Sequence, residues 1–308
     1  MAKSSKGSTF EYTLHTGDCR VVMAGMDANS VQCCVTSPPY YGLRDYGHGG
    51  QLGLESTPDE YVAKMVDVFR DVRRVLKDDG TLWLNLGDSY KNKNLIGIPW
   101  RVAFALQACG WCLRQDIIWH KPNPMPESVT DRCTNAHEYL FLLSKSARYF
   151  YEADEIKEAS VCPAGTAGTW NGNTDFGLPG GVTRFAKPNL GGSIDGFRNR
   201  RSVWTVATHP FKGAHFATFP PKLIEPCILA GCPSGGVVFD PFMGSGTTGA
   251  VSLQHGRRFV GIDLNPEYVE IARRRIEHAI NNPLERNPQS KASSERNTHG
   301  KKQQGFDI

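Results

Sequence analysis

Two consecutive prolines, Pro38 and Pro39, close the run Ser30-Val31-Gln32-Cys33-Cys34-Val35. That run is apolar and β-branched and reads as a buried strand. Each proline lacks an amide donor and fixes φ, so strand pairing must stop there with the backbone stiff and extended. Thr36 and Ser37 place small hydroxyls before the prolines, and Tyr40 places an aromatic ring after them. Carbonyls beside proline have no neighbouring N–H competing for them. The stretch Thr36-Ser37-Pro38-Pro39-Tyr40 is therefore a rigid rim of acceptors next to a flat stacking face, suited to a planar ring that carries an amino group. A proline turn with a packing tyrosine is the plainer reading of so short a match.

A second stretch changes that balance. Val237-Val238-Phe239-Asp240-Pro241-Phe242-Met243-Gly244-Ser245-Gly246-Thr247-Thr248 reads as an apolar strand, an acidic turn, a glycine pair and a helix start. The glycines allow a tight turn and close approach to a ligand, and the helix start offers free N–H groups. A phosphate loop shares these features, but no Gly-Lys-Ser/Thr follows. Arg258-Phe259-Val260-Gly261-Ile262-Asp263 is a further strand ending in a carboxylate. Lying about twenty residues past the glycine loop, Asp263 is placed to accept both hydroxyls of a ribose, a geometry that a nicotinamide enzyme would share.

Together the two stretches resemble the amino-group DNA methyltransferases of the β class, over roughly residues 14–280. The motif order carries the class: the Ser-Pro-Pro-Tyr rim comes first and the Asp-Pro-Phe glycine loop near the end. The resemblance implies an α/β fold, a Rossmann-like S-adenosylmethionine-dependent methyltransferase sheet. It would be mostly parallel with one reversed strand, entered partway round, with an inserted recognition lobe. It implies S-adenosylmethionine as cofactor and no metal. Ser37, Pro38, Pro39 and Tyr40 become the catalytic set, with Tyr40 stacked on the base and the amine held by the Ser37 oxygen and the Pro38 carbonyl. Asp18, Thr36, His215, Thr218, Phe219, Asp240, Pro241, Phe242, Gly244, Gly246, Thr247, Thr248 and Asp263 become cofactor-binding candidates, although Asp18 also reads as a helix cap. An amine hidden in a duplex implies that the base flips out. Serine at the first motif position inclines the reading to cytosine N4, with adenine N6 close behind. The implied partner is double-stranded DNA, and the family admits a homodimer and a cognate restriction endonuclease. Rivals are an RNA or protein-glutamine methyltransferase, a DNA-binding module that has lost catalysis, and a nicotinamide oxidoreductase.

The rest of the chain is read around these motifs. Its 308 residues suit one large domain, or one domain with an inserted lobe. A formal charge of +4 permits a nucleic-acid partner without demanding one. There is no apolar run of membrane-spanning length and no secretory signal. Nine cysteines are an odd count, which favours reduced thiols in a cytosolic enzyme over a disulfide framework, and the resemblance implies a cytoplasmic protein, bacterial or phage-encoded. Cys109-Gly110-Trp111-Cys112 has zinc or redox spacing but no second pair, and reads as buried thiols. Helices are expected over Thr57–Lys77, stopped by Gly80, over Pro99–Cys109 and from Pro221 to about Ala230. Strands are expected over 12–16, 81–86, 116–119 and 137–143, and this alternation argues a parallel-rich sheet covered on both faces. Cys227, after Pro226, reads as packing.

The expected organisation is a flexible arm over 1–10, a catalytic half over 11–150, a target-recognition insertion over 151–212, a cofactor-binding half over 213–280 and a disordered tail over 281–308. In the insertion, Arg184, Lys187, Arg198, Arg200 and Arg201 interleave with aromatics, a pattern that suits phosphate and base contact. Arg44, in the glycine-rich loop after Tyr40, is a further DNA-binding candidate. Lys121 and Asn123, in the proline-rich loop His120–Pro126, are placed near the target base by the resemblance. Arg273-Arg274-Arg275 reads as a solvated helix face.

Overall fold

The computed structural model describes residues 11–45, 47–160, 196–208 and 219–282. Among these the strands are β1 (Tyr12–Thr16), β2 (Val31–Thr36), β3 (Leu76–Leu86), β4 (Tyr90–Lys91), β5 (Asn94–Leu95), β6 (Cys112–His120), β7 (His137–Ser144), β8 (Glu158–Ala159), β9 (Phe197–Arg198), β10 (Val203–Thr205), β11 (Val237–Asp240) and β12 (Arg258–Asp263). The α-helices are α1 (Cys19–Ala24), α2 (Pro58–Val75), α3 (Ile98–Ala108), α4 (Pro221–Gly231), α5 (Thr247–Gln254) and α6 (Pro266–Asn281).

An eight-stranded sheet runs in the order β1-β12-β11-β2-β3-β7-β6-β10. Every neighbouring pair is parallel except the two that involve β7, so β7 alone is reversed. The expectation of a mostly parallel sheet with one reversed strand holds. β2 is buried along its whole length, which explains its mostly apolar run: a central parallel strand has no solvent face, and its two polar side chains, Gln32 and Thr36, are bonded to Asp79 and Asp240.

Side chains alternate across a strand, and this sorts the core. Cys34, Leu82, Leu84 and Leu86 share one cluster with Tyr61, Met65, Phe69 and Val72 of α2 and with Val102 and Leu106 of α3. The opposite register sends Cys33 and Thr81 toward α4, where a Cβ on Gly231 would meet Thr81 Oγ1, Trp83 Nε1 and Cys33 Sγ. The helices thus form two layers, α1-α2-α3 on one face and α4-α5-α6 on the other.

Helix α2 shows how local sequence builds this layer. Thr57 caps it by accepting from Glu60 N, Pro58 sits in its first turn, and Arg73 and Arg74 lie in its last. Tyr61, Met65, Val68, Phe69, Val72 and Val75 are fully buried. Sequestering side chains such as Met65 and Phe69 contributes about 1.5–3 kcal/mol each. Gly80 is not the helix stop: Leu76 turns extended (φ −67, ψ 141) immediately after Val75, and Gly80 lies inside β3. The pairing of Leu76 with Val31 draws the chain into the sheet four residues early.

Cys109 is exposed and Cys112 half-buried, so they are not the buried pair expected, and both are free thiols. Among the described residues no group of His, Cys, Asp and Glu could hold a metal ion, and no helix is long and apolar enough to cross a membrane. Cys227 is fully buried in α4, packed as expected.

Chain contacts separate Ile156–Arg201 from the rest. Within that unit β8 pairs antiparallel with β9, and both Arg198 and Arg201 hold Glu158, at 2.9 and 2.7 Å. The flanks 151–155 and 202–208, placed in the insertion by sequence, belong with the main sheet: Glu152 N donates to the Ala230 carbonyl, and β10 extends the sheet beside β6.

Gly246, at the N-terminus of α5, takes a left-handed conformation (φ +78), and a Cβ there would lie 2.8–2.9 Å from Cβ and Cα of Ala272 in α6. Gly246→Ala is therefore expected to lower stability by about 1–3 kcal/mol, from backbone strain and helix displacement together. Urea unfolding of the two proteins checks this.

Candidate functional site

The rim and the glycine loop meet at the C-terminal edge of the sheet. In open α/β sheets the crevice beyond these strand ends is where ligands sit. Here it is a cavity of about 140 Å³. Ser37 and Pro39 line it from the segment just after β2, Pro241, Phe242 and Gly244 from the loop after β11, Asp18 from the turn between β1 and α1, and Asp263 from the end of β12.

A buried carboxylate joins the two halves behind this wall. Asp240 accepts from Thr36 Oγ1 at 2.6 Å, from Thr248 Oγ1 at 2.7 Å and from Phe242 N at 3.0 Å. Burial lifts its pKa to about 6 despite those three donors. Thr36, Asp240 and Thr248, expected at the cofactor, do not line the cavity. They brace its floor, with all three side chains spent on one another. Thr247 and Gly246 also stand off the cavity: Thr247 Oγ1 accepts from Arg275 at 2.7 Å, and Gly246 serves the packing of α5 on α6. Arg275 is correspondingly not part of a solvated face. It is half-buried, donates to Ser245 at 2.8 Å as well, and burial lowers its pKa.

Asp263 lines the cavity while its oxygens accept from Gly244 N and Asn265 N, both at 2.9 Å. Burial raises its pKa. Each carboxylate oxygen keeps a second lone pair for a ligand. Asp18 caps α1 by accepting from Arg20 N at 2.9 Å and also lines the cavity. The Arg20 guanidinium bound to it holds its pKa down. Phe219 is half-buried just before α4 and does not line the cavity. His215, Thr218, Arg184 and Lys187 lie outside the described residues.

Sequence reasoning missed Arg20, His48, Ser245, Asn265 and Tyr268, which also line the cavity. Arg20 and Asn265 each sit two residues beyond an acidic strand end, a signal that was available. His48 arrives on the glycine-rich loop beyond Tyr40, far from the glycine turn in sequence.

The second half of the rim rests on a polar cluster. Tyr40 Oη donates to Glu138 Oε2 at 2.7 Å and accepts from Ser37 Oγ at 3.2 Å and from Asn85 Nδ2. Asn85 Nδ2 also reaches Glu138 Oε2 at 2.8 Å. Burial, and then the Glu138 charge, push the Tyr40 pKa well above that of an ordinary phenol. The Pro39 carbonyl is occupied by Tyr61 Oη at 2.9 Å. Lys121, expected at DNA, instead bonds Glu138 Oε1 and lies over the Trp119 ring, 4.5 Å from its centroid. Asn123 is likewise spent on the chain, exchanging two hydrogen bonds with the Thr208 backbone at 3.2 and 3.0 Å. Arg44 is exposed on its loop, where its carbonyl accepts from Gln51.

A family model described as DNA methylase matches residues 31–274. The chain is 46% identical over 294 residues to the type II methyltransferase M.Cfr9I of Citrobacter freundii, spanning 86% of this chain and 87% of that protein. It is 46% identical over 289 residues to the type II methyltransferase M.SmaI of Serratia marcescens, spanning 84% and 89%. Among solved structures, the cytosine-N4-specific PvuII DNA methyltransferase has the same fold, with a TM-score of 0.65 at 20% identity over 96% of this chain and 95% of that one. TTHA0409 of Thermus thermophilus, complexed with S-adenosyl-L-methionine, has a TM-score of 0.58 at 27% identity over 87% and 95%.

The raised pKa of Asp240 fixes a sign. A carboxyl whose folded pKa, about 6, exceeds its unfolded value near 3.9 favours the folded state most when protonated. Its share of stability is present below about pH 4 and is lost as pH rises through about 6. The stability gap between the natural protein and Asp240→Asn should therefore narrow, by up to about 3 kcal/mol, from pH 4 to pH 7. Urea titrations at the two pH values measure it.

Proposed function

The chain belongs to the N6/N4 DNA methylase family, and from that premise we propose that it methylates N4 of a flipped cytosine within a specific double-stranded sequence. It is an S-adenosylmethionine-dependent DNA methyltransferase. One observation carries the reading: a single cavity is walled at one side by Ser37 and Pro39 and at the other by Asp18, Gly244 and Asp263.

The lining fits the cofactor. The Asp263 carboxylate suits hydroxyl donors, while Pro241, Phe242 and Leu264 offer apolar walls for a ring. When bound, S-adenosylmethionine supplies an electrophilic methyl on a sulfonium. Asp263 would take the ribose hydroxyls, and Asp18 would lie toward the adenine side.

The remaining task falls to the rim. An exocyclic amine has its lone pair delocalised into the ring and is a poor nucleophile. Because Tyr61 occupies the Pro39 carbonyl, Ser37 and the Pro38 carbonyl are the acceptors assigned to the two N–H groups. Holding both favours a pyramidal nitrogen with its lone pair directed at the methyl. Tyr40 stacks on the base and fixes its plane. Positioning and electrostatics supply the rate, without a covalent enzyme intermediate. A duplex buries the amine, so the base must leave the stack.

Serine rather than a carboxylate at position 37 supports cytosine N4, since serine is the commoner residue there in the cytosine-N4 enzymes that the motif resembles. Residues 151–212 are assigned to sequence choice, and Arg44 to the DNA backbone. The type II relatives support a cognate endonuclease partner and a cytoplasmic setting. Their near full-length match favours DNA over RNA or protein substrates.

Incubation with unmethylated DNA and S-adenosylmethionine, followed by nucleoside mass spectrometry, should yield N4-methylcytosine. N6-methyladenine in its place would overturn the choice of base. Asp263→Ala should weaken S-adenosylmethionine binding by about 1–3 kcal/mol, the scale of lost charge-assisted hydrogen bonds. Unchanged affinity in calorimetry would remove Asp263 as the ribose partner.

A further inference from the structure

The tyrosine of the rim is gripped from three strands. Glu138 lies at the start of β7, Asn85 near the end of β3 with Gly87 just beyond it, and Lys121 follows β6. The Tyr40 hydroxyl donates to Glu138 at 2.7 Å and accepts from Asn85. On its other side the ring runs against Gly87, where a Cβ would lie 2.6 Å from Tyr40 Cε2. Only glycine admits the ring in this pose.

Glu138 is the hub. One oxygen takes Tyr40 and Asn85, and the other takes Lys121. The Glu138 and Lys121 side chains are only 15% and 19% exposed. Lys121 is itself pinned by the Trp119 ring beneath it. A buried ion pair of this kind is weak evidence for stability, because desolvation offsets the attraction. What it supplies is direction: an acceptor held at one point, to which the phenol must orient. The phenol stays a donor because its pKa is driven well up. Neither Glu138 nor Lys121 lines the cofactor cavity.

We propose that Glu138, anchored by Lys121, is a positioning residue that sets the plane of the Tyr40 ring for the flipped base. The inference rests on the stacking role given to Tyr40 above. A ring free to turn would hold the base in many orientations, and misplacement on the ångström scale costs about 100-fold in rate.

The test compares Glu138→Ala, Glu138→Gln, Lys121→Met, Tyr40→Phe and the Glu138→Ala/Tyr40→Phe pair in full-length protein. Steady-state kinetics on duplex DNA are measured together with S-adenosylmethionine affinity by calorimetry. Glu138→Ala should lower kcat by about 10- to 100-fold and leave cofactor affinity within about threefold, which also certifies the fold. Glu138→Gln keeps an acceptor for the phenol and should retain most of the rate, and Lys121→Met should fall between. Tyr40→Phe removes the hydroxyl through which Glu138 acts, so adding Glu138→Ala to it should cost less than about threefold more. Natural kcat in Glu138→Ala would overturn the proposal. So would a Glu138→Ala loss that multiplies undiminished in the Tyr40→Phe background, or one matched by loss of cofactor affinity. An unaltered protein that transfers no methyl would overturn this inference and the underlying function together, whereas the other outcomes sink the inference alone.

Discussion

The carboxylate of Asp240 is the joint on which the site depends. It holds Thr36, the residue before the Ser-Pro-Pro-Tyr rim, and Thr248, in the first turn of α5. These partners are 204 and 8 residues away in sequence. The group is buried, so an unmet donor or acceptor there would cost on the order of 1–3 kcal/mol. The three donors therefore keep a fixed geometry, and the rim and the glycine loop keep a fixed distance. The lifted pKa of Asp240 records how much desolvation that joint withstands.

The sheet places the joint where a ligand can use it. β11 lies between β12, the next strand in sequence, and β2, from the far end of the chain. The connections leaving β11 and β2 run in opposite directions, to β12 and to β3, and the loops beyond the strand ends open a crevice there. Two of its walls are carboxylates: Asp18, held by the Arg20 amide and guanidinium, and Asp263, held by the Gly244 and Asn265 amides. Both keep their positions without a ligand, and each Asp263 oxygen retains a lone pair for one.

At the Tyr40 end of the rim the same logic recurs with different groups. Tyr40 is held by Glu138 and Asn85, and Glu138 by Lys121. The reversed strand β7 matters here, because its direction brings its first residues, His137 and Glu138, to the edge where the parallel strands end. Had β7 run with the others, Glu138 would lie at the opposite edge of the sheet. The one exception to parallel order thus supplies the carboxylate beneath the rim.

The sequence by itself determined the strand and helix alternation, the two motifs and their order, and so the family. These are local signals: proline pairs stop strands, glycines open turns, and apolar periods mark buried faces. It also marked Asp18, Phe242, Gly244 and Asp263, which sit at strand ends where the chain must face the crevice. Only the tertiary structure decided which polar residues face a ligand and which face one another. Asp240, Thr36 and Thr248 read as cofactor groups, but they close on one another behind the wall. Lys121 and Asn123 read as free for DNA, but Glu138 and the Thr208 backbone take them. A hydrogen bond is satisfied by whatever group the fold brings near, and these partners come from strands and loops remote in sequence. No local pattern could have named them.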